Sequence, residues 1–339
     1  MPILPESHKR MERVCEDYIL DIVRAAGDEL GRSFDLARLS WISRPDFSNR
    51  VADATIILRL KGHERGHDAV LIISNPSYPN AVANAVNTAR QVYDHVQPAI
   101  QATVLLSDFQ GAHEDQSFAV FPALTPISEN RLVRRIQKQM IEKDIQKWLC
   151  ELYACSKRPA ATDEDIEKRF LKPLSYLIGE ERFSSDLRNS AKAALTAVEH
   201  RDFQPMFTIQ HGDFWLGNIL LKKGWPFVKD EKYPFFVIDW GVANLKGYPF
   251  VDLFRYALST TKNENRILEN LHAYCRRCEL SPRLLPNYVC ASIGWLGLHR
   301  KNFPMGRYVA SSEALFLTAR RLAAKAEDGA TPTLSSPAP

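Results

Sequence analysis

Three oxygen-bearing side chains mark the part of the chain best suited to chemistry: Asp213, Asn218 and Asp239. Asp213 stands in a short polar stretch, and Asn218 follows it by five positions, just before an apolar run at 219–221. A second apolar run, at 235–238, ends at Asp239. Two strands joined as a β-hairpin bring their flanking loops together, so we expect the three side chains to converge.

Carboxylate and amide oxygens are the ligands of a hard cation such as Mg²⁺, which takes few protein ligands and leaves positions for phosphate oxygens. Asn218 and Asp239 are therefore the candidate Mg²⁺ ligands. Asp213 is the candidate catalytic base, which would orient or deprotonate a hydroxyl. This combination is what phosphoryl transfer requires. Each residue taken alone also has a plainer interpretation, a polar side chain that caps its own turn.

The first third of the chain alternates between strand and helix patterns. Residues 11–26 have the 3.6-residue period of an amphipathic helix. Next come predicted strands at 39–43, 54–60 and 69–74, a helix at 80–96, and strands at 102–106 and 118–123. The order β-β-β-α-β-β is typical of the small lobe of a kinase-like fold.

The remainder is mainly helical, apart from the hairpin. The predicted helices cover 132–152, a segment starting at Thr162, 185–198, 264–278, 282–296 and 307–325. We therefore predict an α+β fold of two lobes, a small antiparallel β lobe and a larger helical lobe. The predicted divisions are an N-terminal helical extension (1–34), a nucleotide-binding lobe (35–123), a catalytic and substrate lobe (124–326) and a disordered tail (327–339).

The two loops also carry a family resemblance. The pattern His-Gly-Asp-x4-Asn at 211–218, followed by Ile-Asp-Trp-Gly at 238–241, resembles the catalytic and metal-binding loops of the aminoglycoside phosphotransferase / choline kinase-like family. The later segment 247–253 resembles the family's Asp-Leu segment. The resemblance implies a protein kinase-like fold. It also implies an ATP- and Mg²⁺-dependent kinase that phosphorylates a hydroxyl of a small molecule.

Further roles follow from the resemblance alone. It implies that His211 packs beneath the catalytic loop and bonds the backbone near Asp239, and that Asp252 accepts hydrogen bonds from the loop's amides. Trp215 and Trp240 would fill the floor of the site, although plain core packing explains them as well.

The nucleotide contacts implied by the resemblance lie in the small lobe. Ser48 and Asn49 belong to a turn that resembles the Ser-Asn-x-Val phosphate turn of the family, although it has no glycine. Phe121 and Ala123 belong to the connector between the lobes, whose backbone would bond the adenine of ATP.

The small lobe departs from the family pattern. Its third strand, at 69–74, has no lysine for the α- and β-phosphates, and the helix at 80–96 has no glutamate to pair with one. Arg50, Arg59 and Lys61 are the candidate replacements. Two interpretations follow: an active phosphotransferase, or a catalytically impaired, pseudokinase-like protein that binds a nucleotide or a partner.

The composition limits the classes of molecule that the protein is expected to bind. The chain has 339 residues, 45% of them hydrophobic, and a net charge of +4, too small to indicate nucleic acid or a membrane surface as partner. No apolar run reaches the roughly 18–20 residues that span a bilayer, and no leader segment is recognisable. Six cysteines are too few for a disulfide framework. We expect a cytoplasmic protein with a small-molecule hydroxyl acceptor. The sequence does not set an oligomeric state.

Overall fold

The computed structural model describes residues 6–43, 55–64, 66–160, 162–226, 231–300 and 303–328. The strands of its smaller lobe are β1 (Ser40–Ser43), β2 (Ile56–Leu60), β3 (Ala69–Ile73), β4 (Phe109–His113) and β5 (Gln116–Pro122). Within the described residues they form one antiparallel sheet in the order β1-β2-β3-β5-β4. The helices of this lobe are α1 (Glu6–Leu30), α2 (Ala81–His95) and the short α3 (Pro98–Gln101).

The two faces of the sheet follow from the alternation along β3. Ala69, Leu71 and Ile73 are fully buried, and they share one core with Ile22 and its neighbours on α1. Ile72 points to the other face, where it packs against a small cluster that includes side chains of α2. Because side chains of α1 belong to this core, α1 covers that face of the sheet. Burying one such aliphatic side chain stabilises the fold by about 2 kcal/mol.

The prediction of a strand at 102–106 is wrong, because these residues form a turn followed by irregular backbone with a single bridge at Val104. Pro98 starts α3, and the chain then leaves the sheet and runs beside the larger lobe. There Val104 forms a parallel bridge with Val237, and the N–H of Leu105 donates to the Val237 carbonyl at 3.3 Å. Val104 and Leu105 are buried, so their apolar character reflects the core of the other lobe. The strand that precedes β5 is β4.

The larger lobe is helical. Its helices are α4 (Arg131–Ser156), α5 (Asp163–Ile166), α6 (Lys172–Gly179), α7 (Ser185–Glu199), α8 (Val251–Thr260), α9 (Glu264–Cys278), α10 (Leu285–Leu298) and α11 (Met305–Asp328). The α+β layout and the long helices are confirmed, and Thr162 caps α5 as predicted, by accepting from the N–H of Asp165. The predicted tail lies outside the described residues from position 329 onward.

Short strands support the site. They are β6 (Thr125–Pro126), β7 (Arg158–Pro159), β8 (Met206–Gln210), β9 (Ile219–Leu221), β10 (Phe235–Val237) and β11 (Asn244–Gly247). The predicted hairpin is present, since β9 and β10 pair antiparallel with Ile219 opposite Val237. β8 pairs with β11 in a separate sheet, with Gln210 opposite Asn244, so the loop after β8 begins beside the end of the loop that follows β10.

None of the described helices combines the length and the apolar character needed to cross a membrane.

Candidate active site

The loop that carries Asp213 begins at the end of β8. Gly212 has a φ of 82°, a left-handed conformation that glycine adopts without steric cost. A Cβ at this position would also lie 2.8 Å from the carbonyl oxygen of Val242, on the segment that follows Asp239. The glycine is therefore required both by the backbone conformation and by the close approach of the second loop.

Asp252, in the first turn of α8, holds this loop from beneath. Its Oδ2 accepts a hydrogen bond from the N–H of His211 at 2.6 Å, and its Oδ1 accepts one from the N–H of Gly212 at 2.9 Å. The carboxyl group is buried, and this burial raises the pKa of Asp252 to about 6, against the opposing effect of the two N–H donors. These are the contacts that the family resemblance implies for Asp252.

His211 joins the two loops. Its ring lies against Trp240, and its Nε2 is 2.8 Å from the carbonyl oxygen of Ile238, the residue before Asp239. Its Nδ1 accepts a hydrogen bond from the N–H of Asp213 at 3.2 Å. Nδ1 is thus unprotonated and Nε2 carries the hydrogen, which makes the ring neutral. Burial lowers the pKa of His211 to about 4, in agreement with this neutral ring.

Asp213 is held on both carboxylate oxygens. Its Oδ1 forms an ion pair with Arg255 of α8 at 3.0 Å, and its Oδ2 lies 3.3 Å from Nδ2 of Asn218. Arg255 also donates to the carbonyl oxygen of Gly212. Sequence reasoning missed Arg255. The signal available for it was its spacing, because a residue three positions after Asp252 lies on the same face of a helix.

Asn218 is buried between the two loops. Its Nδ2 donates to the carbonyl oxygen of Asp213 at 2.8 Å, which leaves the amide oxygen turned away from Asp213. The main-chain carbonyl oxygen of Asn218 accepts a hydrogen bond from the N–H of Ile238 at 3.0 Å. Because Ile238 precedes Asp239, the backbone brings the two predicted Mg²⁺ ligands to neighbouring positions.

Asp239 has an unusual backbone conformation, with φ of 63° and ψ of 57°. It precedes a single 3₁₀ turn, Trp240–Val242, which packs against α2. At Gly241 a Cβ would lie 3.2 Å from the Cβ of Ala85. A strained residue of this kind persists only where its surroundings hold it, and such residues concentrate at functional sites.

The donor set fits Mg²⁺. In the described part of the chain, no three His, Cys, Asp or Glu side chains form a metal-binding group. Mg²⁺ does not need such a group, because it binds through one or two carboxylates together with substrate phosphates and waters. The amide oxygen of Asn218 and the carboxylate of Asp239 are oxygen donors of the required type.

The predicted adenine contacts lie at the connector. Phe121 is the penultimate residue of β5 and is partly buried, opposite Val70 of β3. The N–H of Ala123 already donates to the carbonyl of Asp68 at 3.1 Å, so the backbone of Ala123 offers an incoming base its carbonyl oxygen. Ser48 and Asn49 lie outside the described residues. The nucleotide roles of these four residues stay predictions.

The candidate replacements for the missing lysine differ in environment. Lys61 forms an ion pair with Asp68 at 2.7 Å, and this hydrogen-bonded cation lowers the pKa of Asp68. Arg59 is exposed on β2, opposite Val70, and therefore on the same face of the sheet as Val70. Arg50 lies outside the described residues.

The two tryptophans of the loops have different surroundings. Trp240 is buried, donates from Nε1 to the Val237 carbonyl at 3.0 Å and packs against Trp148 with the two rings tilted. Trp215 is 43% exposed, and its ring covers Gly217. This exposure contradicts plain core packing for Trp215 and places the residue on the surface beside the loop, at the rim of the site, while its role there stays a prediction.

Comparison with known proteins places this architecture. The family described as "Phosphotransferase enzyme family" matches residues 33–285 and confirms the resemblance seen in the two loops. Among curated proteins, none matches the sequence significantly.

Solved structures resemble most of the chain at low sequence identity. The GDP and kanamycin complex of APH(2")-IIia is 10% identical, with 85% of this chain and 94% of that chain covered and a TM-score of 0.51. A spectinomycin phosphotransferase, APH(9)-Ia, in complex with ADP and spectinomycin is 11% identical over 91% and 98%, with a TM-score of 0.48. The choline kinase LicA from Streptococcus pneumoniae is 12% identical over 90% and 99%, also with a TM-score of 0.48. The likeness to APH(2")-IIia shows the fold and confirms the predicted two-lobe, kinase-like architecture.

Proposed function

The chain belongs to the phosphotransferase enzyme family, and from this premise we propose that it is an ATP- and Mg²⁺-dependent kinase that phosphorylates a hydroxyl group of a small molecule. Asp213 would be its catalytic base, and Asn218 and Asp239 its Mg²⁺ ligands. The observation that carries the proposal is the pair of hydrogen bonds at Asn218, one within its own loop and one to the second loop. Asn218 bonds Asp213 on one side and the backbone next to Asp239 on the other.

The reaction needs little covalent chemistry from the protein. The terminal P–O bond of ATP breaks, a bond forms from that phosphorus to the acceptor oxygen, and the hydroxyl proton passes to Asp213 or to water. The products are a phosphate ester and ADP. The transition state is loose, so catalysis consists mainly of positioning and charge neutralisation. When bound, Mg²⁺ supplies that neutralisation at the phosphate oxygens.

The chain's own residues fix the geometry. Asp252 and His211 are both hydrogen-bonded to main-chain groups of the two loops, and neither is free to take the proton. The ring of His211 is neutral, so it does not supply the positive charge that a lysine on β3 would have given to the phosphates. Asp213 is partly exposed, at 36% for its side chain, and so an acceptor hydroxyl can reach it. The acceptor would bind beside Asp213, at the open edge of the loop.

A second function is favoured by one observation. The cleft face of β3 presents Val70 and Ile72, both apolar, at the positions where a kinase-like strand would carry its lysine. A protein that binds a nucleotide without turning it over would have this sheet and would still keep the loops. Turnover therefore has to be measured separately from binding.

Thermal unfolding with Mg²⁺, with ATP and with both tests the nucleotide site. At about 100 times the dissociation constant, a ligand that binds only the folded state stabilises it by roughly 2.7 kcal/mol. We expect this shift only with both components, and we expect Asp239→Asn to abolish it. Asp202→Asn, at an exposed position, is the matched control. An equal shift in wild type and Asp239→Asn would contradict the metal assignment.

ADP release in the presence of alcohol acceptors then separates the two functions, because ADP forms only when a hydroxyl takes the phosphoryl group. Mg²⁺- and ATP-dependent stabilisation accompanied by ADP release supports the kinase. If the stabilisation is the same but wild type releases no more ADP than Asp213→Asn does, the result supports the protein that binds without turnover.

A further inference from the structure

The proposed base has a cationic neighbour that the family resemblance does not account for. Arg255 contacts Asp213 Oδ1 at 3.0 Å and also donates to the carbonyl of Gly212. A guanidinium group has five N–H donors in a fixed planar arrangement. The side chain of Arg255 is 49% exposed, so donors beyond those two contacts face solvent beside the base.

The direction from which an acceptor approaches follows from the two oxygens of Asp213. Oδ2 faces Asn218, on the side of the proposed Mg²⁺ ligands, and Oδ1 faces Arg255. The phosphate to be transferred lies on the metal side. An acceptor hydroxyl that bonds Asp213 in line with that phosphate therefore carries the rest of its molecule toward Arg255.

The remainder of this rim is apolar. Val242, which contacts the Gly212 position, is 62% exposed, and Trp215 is 43% exposed. Leu258 is also exposed, and it stands three residues after Arg255, on the same face of α8. Among the described residues, the rim thus combines the ion pair of Asp213 and Arg255 with apolar side chains, and Arg255 is its cation. An ammonium group placed here would face a like charge, whereas an oxyanion would find free N–H donors.

We propose that Arg255 is a specificity-determining residue, and that the acceptor is an alcohol that carries an oxyanion, a carboxylate or a phosphate, close to the hydroxyl that is phosphorylated. This inference rests on the proposed kinase function. It adds the charge of the substrate and the residue that recognises it.

The test uses alcohols that share a carbon skeleton and differ only in charge. One set is glycolate, ethylene glycol and ethanolamine; a second is 3-hydroxypropionate, 1,3-propanediol and 3-aminopropanol; glycerol 3-phosphate and glycerol report on phosphate. ADP release is measured with the full chain, Mg²⁺ and ATP. We expect kcat/KM to be highest for the anionic members, by about tenfold over the neutral ones, as for one charge-assisted hydrogen bond.

Variants assign the preference to the residue. Arg255→Gln should raise KM about tenfold more for the anionic alcohols than for the neutral diols, because all acceptors lose the arginine that holds Asp213 and only the anionic ones also lose an interaction of their own. Arg255→Lys should restore most of the preference, since it keeps the charge. Arg320→Gln, which removes an exposed arginine paired with Asp186 on the helical lobe, is the matched control and should leave the preference unchanged.

Several outcomes would overturn the inference. They are a preference for ammonium alcohols, a preference that Arg255→Gln leaves intact, and phosphorylation of the neutral alcohols with no anionic alcohol accepted. Failure of the proposed function looks different, because ADP release would then stay at the level of Asp213→Asn with every alcohol, charged or neutral.

Discussion

The loop at 211–218 and the sheet of the small lobe are stabilised in different ways. In the loop, each backbone or side-chain group meets one particular partner, as His211 and Gly212 do on Asp252. In the sheet, aliphatic side chains share a common core in which any of several residues would serve. Directed contacts tolerate little change, and an apolar core tolerates changes that keep its volume. The loop therefore retains a recognisable pattern. The strand β3 lacks the lysine of the family pattern, has an aliphatic residue in its place and still forms the sheet.

The largest effect expected concerns the loop. Asp213→Asn keeps the shape of the side chain and removes its basicity, so transfer to a good acceptor should fall by about 10²–10⁴-fold. Binding of ATP with Mg²⁺ should persist, because Asn218 and Asp239 are unchanged. Single-turnover kinetics and calorimetric ATP titration measure the two quantities. Turnover at the wild-type level would remove Asp213 as the base.

The buried pair beneath the loop should show opposite pH dependences. The pKa of His211 is lowered from 6.5 to about 4, so its contribution to stability is present above pH 6.5 and is lost as the pH falls through 4. The pKa of Asp252 is raised from 3.8 to about 6, so its contribution is present below pH 3.8 and is lost as the pH rises through 6. Each shift corresponds to roughly 3 kcal/mol.

Urea unfolding between pH 4 and pH 7 measures this prediction. His211→Asn should lose less stability than wild type on acidification from pH 7 to pH 4. Asp252→Asn should lose less than wild type when the pH is raised from 4 to 7. Parallel curves for all three proteins would show that neither group titrates in these ranges.

A smaller effect is expected from the glycine of the loop. Gly212→Ala places a Cβ at a left-handed residue and against the Val242 carbonyl, so it should destabilise the fold by about 1–3 kcal/mol. Gly179→Ala is the matched control, because a Cβ there would meet no atom within 4 Å. Equal unfolding midpoints for the two variants would mean that the loop relaxes to accept the alanine.

The smallest effect belongs to the sheet. Ile73→Val removes one buried methylene group from the core shared with α1, at a cost of about 0.5–1.5 kcal/mol. Activity measured at a temperature well below unfolding should be unchanged. A loss of activity at full folding would show that the sheet, like the loop, depends on individual side chains, and the contrast between the two regions would fail.

Much of the molecule could be predicted from the sequence where the information is local. The loops at 211–218 and 238–241 are short, and their polar residues bond within them or to each other. The hairpin between them has strong apolar runs, so its existence followed directly. α2, β2 and β3 also follow from periodicity, because each has one face in a core.

The rest depended on packing between distant segments. The apolar run at 102–106 has the composition of a strand, yet Val104 is buried against β10 of the other lobe, and composition does not distinguish the two. The spacing from Asp252 places Arg255 on the loop side of α8, but its contact with Asp213 depends on how α8 docks beneath the loop. The exposure of Trp215 likewise depends on how the rim is built. The roles of the site residues stay predictions until the variants are measured.

The contact between Gly241 and Ala85 has a mechanical consequence. These two small residues are where the helix of one lobe rests directly on the turn that follows Asp239 in the other. A larger side chain at either position would act as a wedge and hold the lobes apart behind the proposed metal ligand. The reach of Asp239 toward a bound phosphate is therefore set partly by the bulk of a residue on α2. That residue is an alanine, and it would go unnoticed in a search confined to polar side chains.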